Sequence, residues 1–310
     1  MADLDATAPR PTPAAPSRAV RAAERTARPP RRRDRVDWMA HAILWTGIAV
    51  VAFPVYLTFV ASTHEPSVIA NGQMPLSPGN EFLATYWRTI FVGPSSTTRT
   101  PVGVMMLNSL VVALGIAIGK IAISIISAYA IVYFKFPLQK TAFWMIFITL
   151  MLPVEVRIYP TYKIVADLGL LNSYQGLILP LIASATATLL FRQFFMTIPD
   201  ELVEASKIDG AGPMRFFFDT VLPLSTTNIA ALFVILFVYG WNEYLWPLLI
   251  TTSGDMQTIV IGIKKMIVTS DALTEWQIVM ATAMLAMVPP VAVVVLMQRW
   301  FVKGLVDTEK

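Results

Sequence analysis

Five charged or amide side chains stand within or at the end of long apolar runs: Lys120, Glu155, Arg157, Asn242 and Glu243. Such groups are costly in hydrocarbon and tend to face a protein interior or a water-filled path. Lys120 sits in the middle of its run, where insertion costs about 2.5–3.5 kcal/mol. A cation there can attract a phosphate-bearing substrate, pair with an acid such as Glu155 or Glu243, or simply hold helices together. Arg157 has the guanidinium geometry for bidentate phosphate contacts; an intramolecular pair or an interfacial anchor is the plainer use. Asn242 and Glu243 either line a pathway or pair across helices. None of these residues forms a nucleophile-and-base set. With no cysteine and only His41 and His64, disulfides and thiolate sites are excluded and a histidine zinc site is disfavoured. The stretch around Lys120 approximates a P-loop, but its glycine spacing is one residue short and Ile121 replaces Ser/Thr. The chain is therefore read as no enzyme, with no metal and no cofactor of its own.

The elements that must position these groups are read from composition. Of 310 residues, 55% are hydrophobic and 14% charged, with a mean hydropathy of +0.61. A soluble domain carries about 25% charged residues, so this surface faces something other than water. Six apolar stretches, near 38–61, 104–134, 142–159, 174–196, 227–250 and 277–299, approach or exceed the roughly 20 residues that cross a bilayer. Segments such as 227–239 have no polar face at helical spacing, which soluble helical packing would require. The expectation is an all-α integral membrane protein with six transmembrane helices. Prolines punctuate five of the six: Pro54, Pro153, Pro180, Pro247 and Pro289–Pro290. The second carries Gly115 and Gly119 instead, a spacing that lets a neighbouring helix approach closely.

Residues 1–37 hold nine arginines, five acids and six prolines. They have too few large apolar groups to offset ordering entropy, so a disordered basic tail is expected. Its balance of +4 equals that of the whole chain, which suggests a cytoplasmic membrane face more than nucleic acid. The first apolar stretch reads as a retained anchor, longer than a signal h-region. With both termini cytoplasmic, the inner segments collect 17 of the 24 Lys/Arg, as the positive-inside rule requires. The domain division expected is a tail over 1–37 and a six-helix membrane domain over 38–310.

The polar segment 197–225, TIPDELVEASKIDGAGPMRFFFDTVLPLS, falls on the cytoplasmic side in this topology. Thr197 is a candidate cap, with Asp200 and Glu201 in the first turn of a helix. Gly210 can end that helix in a left-handed turn, and Pro213 can start a second. Within it, Glu204-Ala205-Ser206, three residues including Asp209, then Gly210 and later Leu222-Pro223 resemble the EAA loop of ABC importer permeases. Ser206 replaces the usual Ala, and Thr220 stands where Ile is common. A second stretch, Trp241-Asn242-Glu243-Tyr244-Leu245-Trp246-Pro247, resembles the corresponding span of sugar-class permeases.

From residue 38 onward, segments 144–160 and 183–206 are similar to the permeases of sn-glycerol-3-phosphate importers, within the carbohydrate (maltose-type) class. That resemblance implies the type I importer fold, with 197–225 as a helix–turn–helix coupling loop docking on an ATPase. It also implies a second permease subunit, a pair of ATPase subunits holding ATP and Mg, and a periplasmic or extracellular substrate-binding protein that meets residues 251–276. The implied substrate is sn-glycerol-3-phosphate or a related glycerophosphodiester; a sugar such as maltose is the alternative. An ion-coupled secondary transporter is the reading from another class, which would show paired halves; no clear repeat is present.

Overall fold

The computed structural model describes residues 38–94, 100–151, 154–268 and 274–307. The basic tail expected to be disordered lies outside them, as does Pro153. Among the described residues the regular structure is entirely helical. The principal helices are α1 (Trp38–Ser62), α2 (Phe82–Phe91), α3 (Val102–Tyr133), α4 (Gln139–Met151), α5 (Val154–Asp167), α6 (Tyr174–Ile178), α7 (Ala185–Phe195), α8 (Asp200–Ile208), α9 (Pro213–Phe216), α10 (Thr226–Trp241), α11 (Leu245–Ile250), α12 (Ile259–Val268) and α13 (Trp276–Asp307). By compactness residues up to Phe53 form one unit and residues from Pro54 another. The first holds the opening four turns of α1 (Trp38–Phe53), an apolar helix segment. All the packing below is within the second.

Three helices, α1, α3 and α13, are long and apolar enough to cross a membrane, and the number rises to five if each of two bent pairs is one span. One pair is Tyr174–Leu181 with α7, bent by 48°; the other is Pro213–Leu224 with α10, bent by 69°. The expected third stretch falls on α4 and α5, and the residues joining them are outside those described. The expected fifth stretch is interrupted: α10 stops at Trp241, and α11 begins at Leu245.

The core is built around α3, which packs against α10, α7, α12, α2 and α6. Its buried positions follow two adjacent i, i+4 rows: Asn108, Val112, Ile116, Lys120, Ser124 and Ala128, and Ser109, Ala113, Ala117, Ile125 and Tyr129. A side chain added at Gly119 would stand 2.5 Å from Ile182, and one at Gly115 would stand 2.6 Å from Ile178. The glycine pair therefore admits the α6 segment, as its spacing predicts. At one end of α3, Asn108 Nδ2 donates to the carbonyls of Asp255 and Gln257 at 2.7 and 3.0 Å. Ser109 Oγ accepts the N–H of Ile259 at 2.8 Å. These bonds supply partners for backbone groups of the short 3-10 helix Gly254–Met256, of Gln257 and of the first residue of α12, a requirement wherever water is scarce.

Two prolines and two tryptophans meet the same requirement inside the bundle. A proline in a helix has no N–H for the carbonyl four residues earlier. Pro290 thereby frees the carbonyl of Ala286, and Trp241 Nε1 donates to it at 3.1 Å. Pro180 likewise frees the carbonyl of Gly176, and Trp246 Nε1 donates to it, also at 3.1 Å. α13 runs through Pro289–Pro290 as one helix.

If Trp241 serves the carbonyl that Pro290 frees, the two positions should be energetically coupled. Trp241→Phe should cost about 1 kcal/mol of bundle stability, the scale of an interhelical hydrogen bond in a membrane. Most of that cost should vanish in the Pro290→Ala background, where the helix supplies its own N–H. Equilibrium unfolding of the four proteins in mixed micelles measures the coupling, and additive losses would refute the pairing.

Candidate functional site

The break between α10 and α11 sets the site. Trp241 is anchored to α13 and Trp246 to α6, so both flanks of residues 242–244 are pinned to other elements. Between them, Glu243 lines a cavity of about 130 Å³ together with Lys120 of α3, Arg157 and Thr161 of α5, Tyr239 of α10, Pro180 and Trp246. Lys120 is buried, with 8% of its surface accessible. Its Nζ lies 4.0 Å from the centroid of the Tyr239 ring, a distance at which ring and cation attract. Two cations, one carboxylate and a phenol thus face one polar space within an otherwise apolar bundle.

Lys120, Arg157 and Glu243 are therefore brought together. Asn242 is exposed and caps its own helix, donating to the carbonyl of Val238 at 2.8 Å; it is not among the residues lining this cavity. The side chain of Glu155 lies outside those described. Sequence reasoning passed over Tyr239 and Thr161. Tyr239 stands four residues before Glu243, a spacing that marks it in the sequence if the helix is taken to continue; the helix stops at Trp241, and it is the break that turns Glu243 to the same cavity.

The polar segment 197–225 folds as two helices about a tight turn. α8 starts at Asp200 with acids at its first two positions, where the helix dipole favours them. The expected cap at Thr197 is not formed. Its hydroxyl donates to the carbonyl of Phe194 at 2.7 Å, and Pro199 occupies the capping position without a side-chain bond. The reason is that the main-chain turn ending α7 already claims Thr197. Gly210 has φ +70°, the left-handed conformation that glycine adopts without strain. Pro213 opens α9, and a wide turn over Phe217–Val221 leads to Leu222 and Pro223.

Glu204, Ala205, Asp209, Gly210 and Pro223 are exposed, while Ser206 and Leu222 are half-buried. No residue of α8 is fully buried. Apolar side chains are nonetheless presented outward: Ile208 is 85% exposed and Met214 60%.

Known proteins resemble this chain in sequence and in fold. Residues 120–307 match the family described as binding-protein-dependent transport system inner membrane component. The chain is 60% identical over 272 residues to the sn-glycerol-3-phosphate transport system permease protein UgpE of Agrobacterium fabrum, covering 88% of this chain and 96% of that one. It is 58% identical over 278 residues to the protein of the same name from Pectobacterium atrosepticum, covering 90% and 99%. A chain from the crystal structure of a bacterial ABC transporter involved in alginate import superposes with a TM-score of 0.73 at 19% identity, covering 87% of this chain and 98% of that chain; at that identity the likeness speaks to fold, which is that of a type I importer permease. On the family match and the length of the aligned relatives, this chain belongs to the inner-membrane components of binding-protein-dependent transport systems.

Proposed function

We propose that the chain is one permease subunit of an ATP-driven importer for sn-glycerol-3-phosphate or related glycerophosphodiesters. The observation that carries this reading is the 60% identity to a permease so named, sustained over 88% of the chain. The cavity chemistry supports it. A phosphate monoester is an anion with several acceptors, and Lys120 and Arg157 offer charge-assisted donors. Glu243 and the Tyr239 hydroxyl suit the hydroxyl groups of the glycerol part. Glu155 and Asn242 remain candidate members of the pathway leading to that cavity.

In this reading residues 38–310 form a six-span permease domain with both termini cytoplasmic, and 1–37 is a cytoplasmic basic tail. Residues 197–225 are the coupling loop. Glu204, Ala205, Ser206, Asp209 and Gly210 form its docking helix and turn, and Leu222-Pro223 leads back towards the bundle. The exposed Ile208 and Met214 give a partner apolar surface to cover. That partner is a homodimeric ATPase, which holds ATP and Mg; a second permease completes the pathway. A substrate-binding protein delivers cargo near residues 251–276. Closure of the ATPase pulls on the loop, and the cavity changes the side to which it opens.

Three outcomes test this assignment. Reconstituted vesicles with the partner subunits and binding protein should take up labelled sn-glycerol-3-phosphate only when ATP is supplied on the ATPase side. Uptake of maltose instead would keep the class and overturn the substrate; uptake indifferent to ATP would favour a secondary transporter. Gly210→Val should insert normally yet uncouple ATP use from uptake, because a β-branched residue at this φ costs on the order of 1–3 kcal/mol and displaces the turn. Normal transport by that variant would mean the loop is not the coupling element. Lys120→Met should raise the half-saturating concentration about tenfold or more, the scale of a lost hydrogen bond to a charged group. An unchanged value would remove Lys120 from the substrate path.

A further inference from the structure

The polar loop touches the bundle at a defined place. Along α3, Tyr129 lies nine residues beyond Lys120, a distance of about 13 Å in a helix. Its hydroxyl donates to the carbonyl of Pro213 at 2.6 Å, where α9 begins. The ring is buried, with its centroid 4.8 Å from that of Phe217 and 5.1 Å from that of Tyr133. Beside this contact a cavity of about 320 Å³ separates α3 from the loop, lined by Tyr133, Val203, Ser206, Lys207 and Phe216 as well as Tyr129. Next to it the loop is packed on the helix, with Phe216 buried against Tyr133 and Phe217 buried against Tyr129. At the edge of the cavity the Tyr129 hydroxyl bridges from helix to loop.

The covalent path out of the loop is different. Beyond Phe217 the chain makes its wide turn and then bends by 69° into α10. Two arms therefore leave the same few residues, one through the Tyr129 hydrogen bond to α3 and one through the main chain to α10. They meet again at the cavity, because α3 carries Lys120 and α10 carries Tyr239, in contact at 4.0 Å. A displacement of the loop that moves the arms unequally alters that contact.

We propose that Tyr129 is a positioning residue that transmits motion of the loop to α3, and so sets the placement of Lys120 against Tyr239. The assignment rests on the reading of 197–225 as the ATPase-docking loop. Tyr129 touches no substrate; it acts on the cavity through its own helix.

The test uses the full complex in proteoliposomes, reading molecules imported per ATP hydrolysed. Tyr129→Phe keeps the ring and removes only the bond to Pro213. Its ratio should fall about fivefold, the factor one ordinary hydrogen bond is worth. Tyr133→Phe is the control, since its hydroxyl donates to the carbonyl of Phe195 in α7 at 3.3 Å and not to the loop; its ratio should match the parent. A parental ratio for Tyr129→Phe overturns the proposal. So does an equal fall in both variants, which would mark a general loss of packing. Gly210→Val separates the proposal from the reading beneath it. If that variant is uncoupled while Tyr129→Phe is not, only the Tyr129 assignment falls; if it transports normally, the docking reading falls with it.

Discussion

Every main-chain carbonyl that a proline strands inside an apolar bundle must find another donor, and much of this structure follows from how that is done. Water is scarce there, and an unsatisfied group costs several kcal/mol. Trp241 and Trp246 supply two such donors, to Ala286 and Gly176. The consequence extends beyond the two bonds. Because the indoles belong to one short segment, they tie α10 and α11 to two different partners and pin both sides of the break between them. Glu243 sits in that break and lines the cavity with Lys120. A demand of backbone chemistry thereby fixes the position of a carboxylate that lines the cavity.

α3 is the complementary element, a helix with polar residues along its length that reach other parts of the bundle. Asn108 and Ser109 hold the irregular 255–259 backbone. Gly115 and Gly119 admit the α6 segment. Lys120 enters the cavity, Ser124 donates to the carbonyl of Ser184 at the bend before α7 at 3.2 Å, and Tyr129 reaches the loop. A helix so engaged along its length behaves as a stiff body, since moving any one contact strains the others. That stiffness suits it to relay a displacement from the loop to the cavity.

The loop combines two properties that rarely coincide in a free surface. It is rich in acids and exposed, yet it presents Ile208 and Met214 outward. Its turn depends on the left-handed residue Gly210, while Phe216, Phe217 and Val221 beyond the turn are buried in the core. It touches the bundle beside a void.

Several features were legible in the sequence, each for a one-dimensional reason. Length and hydropathy locate α1, α3 and α13, since crossing a bilayer is a matter of contiguous apolar residues. Gly210 and Pro213 mark the loop turn, because φ preferences are properties of single residues. The spacing of Gly115 and Gly119 announces a close approach. The partner in that approach, Ile178 and Ile182, is not announced. Nor does hydropathy show which face of α3 is buried, because lipid and protein interior are alike apolar and the two faces carry the same kinds of residue. Tertiary structure decided that, and with it the break at 242–244, the Tyr239 ring over Lys120 and the bonds that Trp241 and Trp246 make. All of these depend on which helix stands beside which, and a carbonyl freed on one helix says nothing in sequence about the indole that will meet it from another.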